Sequence, residues 1–549
     1  MSHLRFAHLP LAATLLATPA FAQTWDVAPL VVEGDPIAGG LVNTIRNLAI
    51  NDSLDWRVEA QLQVGPSFQT VIVSPLGVVA AQDQALGQPF GATIAAFDAL
   101  TLDAAGNSAV NYALNNTLSS DDNSGIFYNL GLVIQESDVS TAAGLTPGSP
   151  YTSFLETKLG DNGDILMIAT VNDPALPGVD PQVLMRLTLT PGGDLATETV
   201  EYKVGDTLPG TTATITAFRP GPHNFDMNDS GVVMFACDTN LASGADGFIL
   251  LNDAVIAQEG QPSPLPGRNW QSVAFTELTL NNAGGYAYNG TLDGPSASNI
   301  LLVKNGAPFR LEGDPVPGLP SFNLTSFGNG PLDLADTGEL LWYGDWDAPT
   351  AFDTGLFVDD QLIVQEGIST VGGVVIDTLL GAVDSYFISD DGAFVIFEAI
   401  LENGDQGAFL ATRPGSAVTI PGCSSDGSTL ALVGGAAVSG GSLDLQLFSP
   451  SLSSGLRFLA VAGVNVLDGS GCGVFVPGVG EILIGFTPPN PFTLPAGMHT
   501  GGSGVVTIPV PSSIALVGSP RYVQAYYLFP SDPANLFDLT NALEITVGL

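Results

Sequence analysis

Basic residues are scarce in this chain. Against 55 Asp and Glu there are only 13 Lys and Arg in 549 residues, which gives a formal net charge of −42. Because only 12% of the residues are charged, the imbalance reflects missing Lys and Arg more than abundant carboxylates. A surface of this sign repels nucleic acid and anionic lipid, so we expect no nucleic-acid partner. An acidic surface of this kind could bind cationic partners or divalent metal ions. The alternative is that the composition is an adaptation to solubility or to salt.

Histidine and cysteine are nearly absent as well. After residue 22 only His223 and His499 remain, and no H-x-H or H-E-x-x-H spacing occurs, so no zinc site is predicted. No G-x-S-x-G motif of an esterase is present. Of the three cysteines, Cys423 and Cys472 are expected to form a disulfide, and Cys237 is expected to pack as a small apolar side chain.

Long hydrophobic runs are also missing. Residues 1–22 combine Arg5, a short apolar stretch and the cleavage-site pattern Ala20-Phe21-Ala22, which predicts a secretory signal peptide. No later segment is long and apolar enough to span a bilayer, so no transmembrane segment is predicted. We therefore expect a secreted protein that is extracellular or associated with the cell surface.

The most informative feature that is present is a repeated sequence signature. A polar turn, a Gly and then alternating apolar residues recur seven times, most clearly at residues 227–235, 280–288 and 388–396. The alternation predicts strands with one buried face, and the 65 Gly and 39 Pro predict many turns between them. The position that Gly normally occupies, here called the Gly slot, holds Leu54, Gly106, Gly163, Gly231, Gly284, Gly338 and Gly392.

Each repeat contains about four short strands and no amphipathic helix, which predicts an all-β fold. Repeats of this kind form propeller blades, so residues 23–415 are predicted to form a seven-bladed β-propeller. Trp25 to Pro36 match the end of a repeat, and the last repeat lacks that strand. The N-terminal strand is therefore expected to close the ring. Residues 416–549 leave the repeat, and their alternating strands predict a C-terminal β-sandwich.

The copies resemble a family of secreted bacterial proteins with a tandem repeat written N-x-x-G-x-x-A-F. Asn228, Gly231 and Phe235 match that pattern, and Asn281 and Gly284 do so too. The resemblance covers residues 25 to about 412 and implies a propeller-like fold with no known enzymatic activity. Residues 514–527 and 539–542 resemble C-terminal modules of secreted bacterial proteins, which implies sorting or surface association.

The repeat supplies two sets of candidate sites. Five carboxylates lie two residues before the Gly slot and would form an acidic rim in a closed ring: Asp52, Asp161, Asp229, Asp336 and Asp390. They are either ordinary turn residues, which is the explanation we favour, or a cation site, for which calcium is the candidate ion. The same two explanations apply to a second set of equivalent carboxylates: Glu33, Glu259, Glu312 and Glu366. No other cofactor is predicted.

Two residues break the repeat and are candidates for ligand binding. Six residues after the Gly slot the side chain is mostly small, as expected near a common axis, but Tyr112 and Glu398 occupy that position in two repeats. Glu398 is also the candidate catalytic group. The sequence predicts a monomeric, non-catalytic module that binds an extracellular protein or glycan. The alternatives are a glycan-active enzyme with carboxylates near the axis and a structural component of the cell envelope.

Overall fold

Most of the chain after residue 24 is described by the computed structural model. The described residues are 25–219, 221, 223–273, 277–413, 415–420, 428–435, 437, 442–449, 454–463, 473–476, 480–484, 492–499, 502–511, 520–531 and 537–547. Residues 1–22, Cys423 and Cys472 lie outside these ranges. The signal peptide and the disulfide between the two cysteines therefore stay predictions. Strands dominate, and two 3-10 helices, Ser120–Asp122 and Ser296–Ser298, are the only helices among the described residues. The all-β prediction is confirmed. Within the described part, no helix has the length and apolarity needed to cross a membrane.

The first three sheets after strand β1 (Asp26–Val32) are antiparallel meanders, which we call sheets 1 to 3. Sheet 1 contains β2 (Pro36–Ile37), β3 (Gly40–Ile50), β4 (Trp56–Val64), β5 (Ser67–Ser74) and β6 (Gly77–Ala81). Sheet 2 contains β7 (Thr93–Leu102), β8 (Ser108–Asn115), β9 (Ser124–Tyr128) and β10 (Gly131–Gln135). Sheet 3 contains β11 (Tyr151–Leu159), β12 (Ile165–Val171), β13 (Gln182–Leu189) and β14 (Leu195–Lys203).

Four further sheets follow, sheets 4 to 7. Sheet 4 contains β15 (Ile215–Phe218), β16 (Phe225–Met227), β17 (Val233–Thr239), β18 (Gly247–Leu251) and β19 (Ala254–Gln258). Sheet 5 contains β20 (Trp270–Ser272), β21 (Leu278–Leu280), β22 (Tyr286–Leu292), β23 (Ile300–Lys304) and β24 (Ala307–Leu311). Sheet 6 contains β25 (Pro315–Val316), β26 (Leu319–Ser326), β27 (Asp333–Leu334), β28 (Leu340–Trp346), β29 (Thr354–Val358) and β30 (Gln361–Gln365). Sheet 7 contains β31 (Thr370–Val371), β32 (Val374–Leu379), β33 (Tyr386–Ile388), β34 (Phe394–Leu401), β35 (Gln406–Thr412) and, at its edge, β1.

The remaining strands form three more sheets. The largest has the order β36 (Ser416–Ile420), β45 (Phe537–Thr546), β44 (Pro520–Leu528), β39 (Gly455–Ala462) and β42 (Phe492–His499). A second consists of β37 (Thr429–Gly435), β38 (Ser442–Ser449) and β43 (Gly502–Pro509), and a third pairs β40 (Val474–Val476) with β41 (Gly480–Ile482). The first two share a hydrophobic core in which Leu445 and Leu447 pack with Leu459 and Tyr527.

Sheets 1 to 7 are joined by apolar packing into a continuous series. A separate hydrophobic cluster lies between each sheet and the next, and one more lies between sheet 7 and sheet 1. Cys237 belongs to the cluster between sheets 3 and 4, where its thiol is buried and unpaired, so its apolar role is confirmed. The inner strands of these sheets, such as β12 and β28, are therefore buried on both faces, which differs from the one-sided burial expected from the alternation.

Strand β1 joins the beginning of the described chain to sheet 7. It pairs antiparallel with β35 from Asp26 opposite Thr412 to Val32 opposite Gly407. Trp25, which precedes it, is fully buried between sheets 6 and 7, and the Arg413 guanidinium lies 5.3 Å from its ring centroid. The strand thus removes one exposed sheet edge and fills part of the core.

Replacing Trp25 with Ala is expected to cost about 3–5 kcal/mol of unfolding free energy, because a large cavity would remain in this core. Trp25→Phe should lose clearly less, since it keeps an aromatic ring in the cluster. Denaturant unfolding of both variants would measure the difference. Equal stability of Trp25→Ala and the wild-type chain would contradict a structural role for the strand.

The seven polar turns have one common geometry. In each, the N–H of the Gly-slot residue donates to the carbonyl three residues earlier, at 2.8–3.1 Å. All seven Gly-slot residues have positive φ, between 57° at Leu54 and 91° at Gly338. Glycine adopts this conformation without steric cost, so the preference for Gly at the slot follows from the turn. The turn prediction is confirmed, including the copy in which Leu54 replaces Gly.

Candidate functional site

A central cavity of about 170 Å³ receives residues from all seven sheets. The strand segments that line it all precede a polar turn. They include residues 48–50, 99–102, 156–161, 226, 227, 229, 278–282, 332–334, 387, 388 and 390, together with His223, Asp336 and Asp384. By volume this space could hold about six water molecules, or a ligand of similar size.

The polar turns form a closed series of hydrogen bonds at one end of the cavity. We call the residues two positions before the Gly slot the turn ring: Asp52, Ala104, Asp161, Asp229, Asn282, Asp336 and Asp390. The links between successive turns run from Asn51 Nδ2 to the Asp103 carbonyl (2.9 Å), Ala104 N to Asp161 Oδ1 (2.5 Å), Asn162 N to Asp229 Oδ1 (2.9 Å), Asp229 N to Asn282 Oδ1 (2.8 Å), Asn282 N to Asp336 Oδ1 (2.7 Å), Asp336 N to the Asp390 carbonyl (2.7 Å) and Asp391 N to Asp52 Oδ1 (2.8 Å). Most of the acidic side chains of the ring therefore accept a backbone N–H of the preceding turn.

Crowded carboxyl groups in the turn ring favour protonation. Asp161 of sheet 3 and Asp390 of sheet 7 both line the cavity, and the charge of Asp161 acts on Asp390. Burial, followed by repulsion from Asp161 and Asp52, raises the pKa of Asp390 well above its usual range. Burial raises the pKa of Asp52 to about 6, and the neighbouring Asp391 adds to the effect. The ring is thus less negative than its composition indicates.

Charges of opposite sign line the cavity. Five residues before the Gly slot, the third, fourth and sixth repeats place Lys158, Asp226 and Asp333 at equivalent positions. Lys158 is the one Lys or Arg among the described residues that line the cavity. Burial raises the pKa of both aspartates, and the ammonium of Lys158 opposes that effect. Each aspartate also accepts a backbone N–H from the next sheet, at Leu280 and Ile388.

The end of the cavity opposite the turn ring is spanned by a histidine and an aspartate. His223 Nε2 lies 3.1 Å from Asp384 Oδ1, which joins sheet 4 to sheet 7. His223 is 3% exposed, and burial lowers its pKa, so the imidazole is neutral at pH 7. Burial and then the charge of Asp384 raise the pKa of Glu156 to about 8. Burial also raises the pKa of Glu277 to about 8.

The structure does not place Tyr112 or Glu398 at the cavity. Tyr112 is 2% exposed and packs between sheets 1 and 2 against Phe97 and Phe127. Glu398 is 7% exposed and accepts a hydrogen bond from Gln406, and burial raises its pKa to about 7. The expectation that both residues face the axis is wrong, because the strand before each turn lines the cavity and they lie on the strand after it.

The second set of equivalent carboxylates holds strands together. Glu259 accepts the backbone N–H groups of Gly247 and Val273, and Glu312 accepts those of Asn299 and Ile300. Glu366 accepts the hydroxyl of Thr354, and Glu33 lies 3.5 Å from the N–H of Gln406. These hydrogen bonds support the explanation that the four glutamates are structural residues of turns and strands, and not a cation site.

No arrangement suited to a metal ion is found in the described part of the chain. Although the turn ring gathers Asp52, Asp161, Asp229, Asp336 and Asp390 at one end of the cavity, no group of three or more described His, Cys, Asp or Glu side chains is placed to hold an ion. Their bonds to backbone N–H groups explain their recurrence as turn residues. The turn explanation thus accounts for this set among the described residues, and calcium binding stays a hypothesis.

Sequence reasoning missed the residues that distinguish the cavity, namely Glu156, Lys158, His223 and Asp384. A signal for Lys158 was present, since it is one of 13 basic residues and lies at the same repeat position as Asp226 and Asp333. His223 and Asp384 carry no such signal, because 161 residues separate them and only the fold brings them together.

Comparisons with known proteins do not assign this chain to a family. No family model matches the chain, and no curated protein sequence matches it. Among solved structures, it is similar to the polysaccharide lyase Uly1 (12% identity, 45% of this chain and 54% of that chain, TM-score 0.25) and to a puromycin hydrolase (11% identity, 69% and 56%, TM-score 0.34). A third is an exo-β-1,3-galactanase from Phanerochaete chrysosporium (10% identity, 95% and 100%, TM-score 0.20). The chain thus spans just over half the length of the first two, and likenesses this weak support no statement about function.

Proposed function

We propose that this chain is a secreted, non-catalytic binding protein whose central cavity receives a small organic cation. The observation that carries the proposal is the imbalance of charge in the cavity lining. Eight carboxylate residues line it against a single lysine: Glu156, Asp161, Asp226, Asp229, Asp333, Asp336, Asp384 and Asp390. An entering cation would relieve the repulsion and burial that raise the pKa of several of these groups.

The proposal includes a finer account of the fold. Sheets 1 to 7 are the blades of a closed seven-bladed β-propeller over residues 23–415, and residues 416–549 form a β-sandwich. The pairing of β1 with β35 and the hydrophobic cluster between sheets 7 and 1 support closure. The shared core of the two larger C-terminal sheets supports a sandwich. In a propeller the centre is a common place for a ligand, because loops and strand ends from every blade meet there.

The chemistry of the cavity favours an ammonium group over a bare metal ion. An ammonium has three N–H donors and can bond separate carboxylates without the tight coordination sphere of a metal. The Thr157 hydroxyl in the cavity wall is 1% exposed and has no hydrogen-bond partner among the described residues, so a polar ligand could satisfy it. The apolar residues Leu278, Leu280 and Leu334 are also part of the cavity lining and could contact a short alkyl chain.

Isothermal titration calorimetry with putrescine, a four-carbon diamine, tests this function. We expect saturable binding at pH 8 and low salt that weakens as ionic strength rises, because salt screens the attraction. Asp333→Asn should weaken binding, whereas Asp194→Asn, in a turn away from the cavity lining, should not. 1,4-Butanediol has the same length without charge and serves as the control ligand.

Two outcomes would overturn the proposal: no binding of putrescine, or equal binding of putrescine and 1,4-butanediol. Loss of binding in Asp194→Asn as large as in Asp333→Asn would place the interaction on the acidic surface instead of in the cavity. The alternatives of a glycan-active enzyme and an envelope component stay predictions, as does the resemblance to the tandem-repeat family.

A further inference from the structure

One position of the repeat places a residue from each of the seven sheets in the wall of the central cavity. We call the residues five positions before the Gly slot the central layer: Ala49, Thr101, Lys158, Asp226, Thr279, Asp333 and Phe387. All seven line the cavity. In sheets 4, 6 and 7 the member of the layer is partly exposed, while the residue on either side of it is buried. Because side chains alternate along a strand, this pattern directs the central layer toward the cavity.

The two carboxylates of the central layer have partners within the fold. Asp226 accepts the backbone N–H groups of Met227, at 2.9 Å, and Leu280, at 2.8 Å. Asp333 accepts the backbone N–H of Ile388 at 2.9 Å. Each carboxylate can accept further hydrogen bonds, so both remain able to bind a ligand with N–H groups.

The ammonium of Lys158 has no partner of this kind. It is partly buried, and it makes no hydrogen bond or ion pair with any residue that the structure describes. The other two lysines of the chain are paired. Lys203 lies 2.9 Å from Asp206, and this contact is outside the cavity lining. Lys304 lies 2.6 Å from Asp359. An ammonium carries three donors, so Lys158 is free to bind an acceptor that a ligand brings into the cavity.

We propose that the cavity binds a short amino acid as a zwitterion, with the carboxylate of the ligand on Lys158 and its ammonium on Asp333. The inference rests on the proposed function, because it places an organic ammonium in the same cavity, and it adds the chemical class of the ligand. Two sheets separate Lys158 from Asp333 in the series, whereas Asp226 is on the sheet next to that of Lys158. The pair is thus suited to a ligand whose two charges are at opposite ends of its chain.

Charge distinguishes such a ligand from a diamine. The second ammonium of a diamine that reaches Lys158 meets a charge of its own sign and is repelled, whereas a carboxylate at that end is attracted. The carboxylate also forms charge-assisted hydrogen bonds with the lysine. A cavity of about 170 Å³ limits the ligand to a chain of a few carbons. A four-carbon ω-amino acid meets both requirements.

Isothermal titration calorimetry of the full chain at pH 8 tests the inference by comparing 4-aminobutanoate with putrescine. Both have four carbons, and at this pH the carboxylate is ionised and the amines are protonated. The wild-type chain should bind 4-aminobutanoate about tenfold or more tightly than putrescine, because a charge-assisted hydrogen bond replaces a repulsion. Lys158→Met should remove this preference, since it weakens the binding of 4-aminobutanoate and keeps or strengthens that of putrescine.

Two matched variants serve as controls. Lys158→Arg keeps a cation at this position and should retain the preference for 4-aminobutanoate. Lys203→Met removes a lysine outside the cavity lining and should change neither affinity. Binding of putrescine by Lys158→Met shows that this variant is folded.

The inference is overturned if putrescine binds and 4-aminobutanoate binds no more tightly, or if Lys158→Met weakens both ligands equally. In the first case the proposed function stands, because an organic cation still binds. If neither ligand binds, the proposed function fails as well. The comparison of the two ligands on the wild-type chain needs no variant, so the test holds even where Lys158→Met does not fold.

Discussion

The melting temperature of this protein is expected to be higher at pH 5 than at pH 8, by about 5 °C or more. The cause is a group of buried carboxyl groups whose pKa burial raises. The pKa values are about 6 for Asp52 and Asp333, about 7 for Glu59 and Glu398, and about 8 for Glu156 and Glu277. Differential scanning calorimetry at constant ionic strength measures the effect.

The direction of this change in stability with pH follows from proton binding. In the unfolded chain these groups titrate near 4, so between pH 5 and pH 8 the folded state holds protons that the unfolded state has released. Stability therefore falls as pH rises through this window and levels off only above about pH 9, where these groups are ionised in both states. Burial lowers the pKa of His223, so this residue reduces stability as pH falls below about 6.5. Its effect is opposite to that of the six carboxyl groups, but it is a single group.

The double variant Glu156→Gln and Glu277→Gln provides the control. It removes two of the titrating groups and keeps the size of both side chains, so its melting temperature should change less between pH 5 and pH 8. A matched pair of surface substitutions, Asp194→Asn and Asp405→Asn, should leave the slope unchanged. A wild-type melting temperature that is flat or rises from pH 5 to pH 8 would contradict the protonated state of these carboxyl groups.

Local chemistry explains why the turns were predictable. Asn or Asp at the first position and Gly three residues later specify a tight turn almost regardless of what surrounds it. Asn228 shows this directly, because its side-chain oxygen accepts the N–H groups of Ser230 and Val232 within the turn. Even Leu54 follows the pattern, since Asn51 makes the equivalent bonds to Ser53 and Asp55.

The position of the cavity was not predictable in the same way. Strands before and after each turn both carry buried apolar residues, because each packs against a neighbouring sheet, so this apolar pattern does not distinguish them. Small residues after the turn suggested crowding near an axis. In the structure this position lies against a neighbouring strand, as at Gly290, where a Cβ would lie 2.6 Å from the Trp270 ring. The small side chains thus make room for core aromatics.

Replacing Lys158 with Met is expected to cost about 2 kcal/mol or more of unfolding free energy at pH 8. Lys158 is the only Lys or Arg among the described residues that line the cavity, and its ammonium offsets the charges of Asp226, Asp333 and Glu277. Without it these carboxyl groups must stay buried as uncompensated charges or take up protons. Because protonation is easier at low pH, the loss should be clearly smaller at pH 5. Chemical denaturation at both pH values measures it.

Two further variants separate this electrostatic role from packing. Adding Asp226→Asn to Lys158→Met removes one of the uncompensated charges and should recover part of the lost stability at pH 8. Lys304→Met removes a lysine that pairs at 2.6 Å with the partly exposed Asp359, so it should cost less than about 1 kcal/mol at either pH. If Lys158→Met were equally destabilised at pH 5 and pH 8 and unimproved by Asp226→Asn, its cost would come from lost packing. The cavity would then not depend on Lys158 for its charge balance.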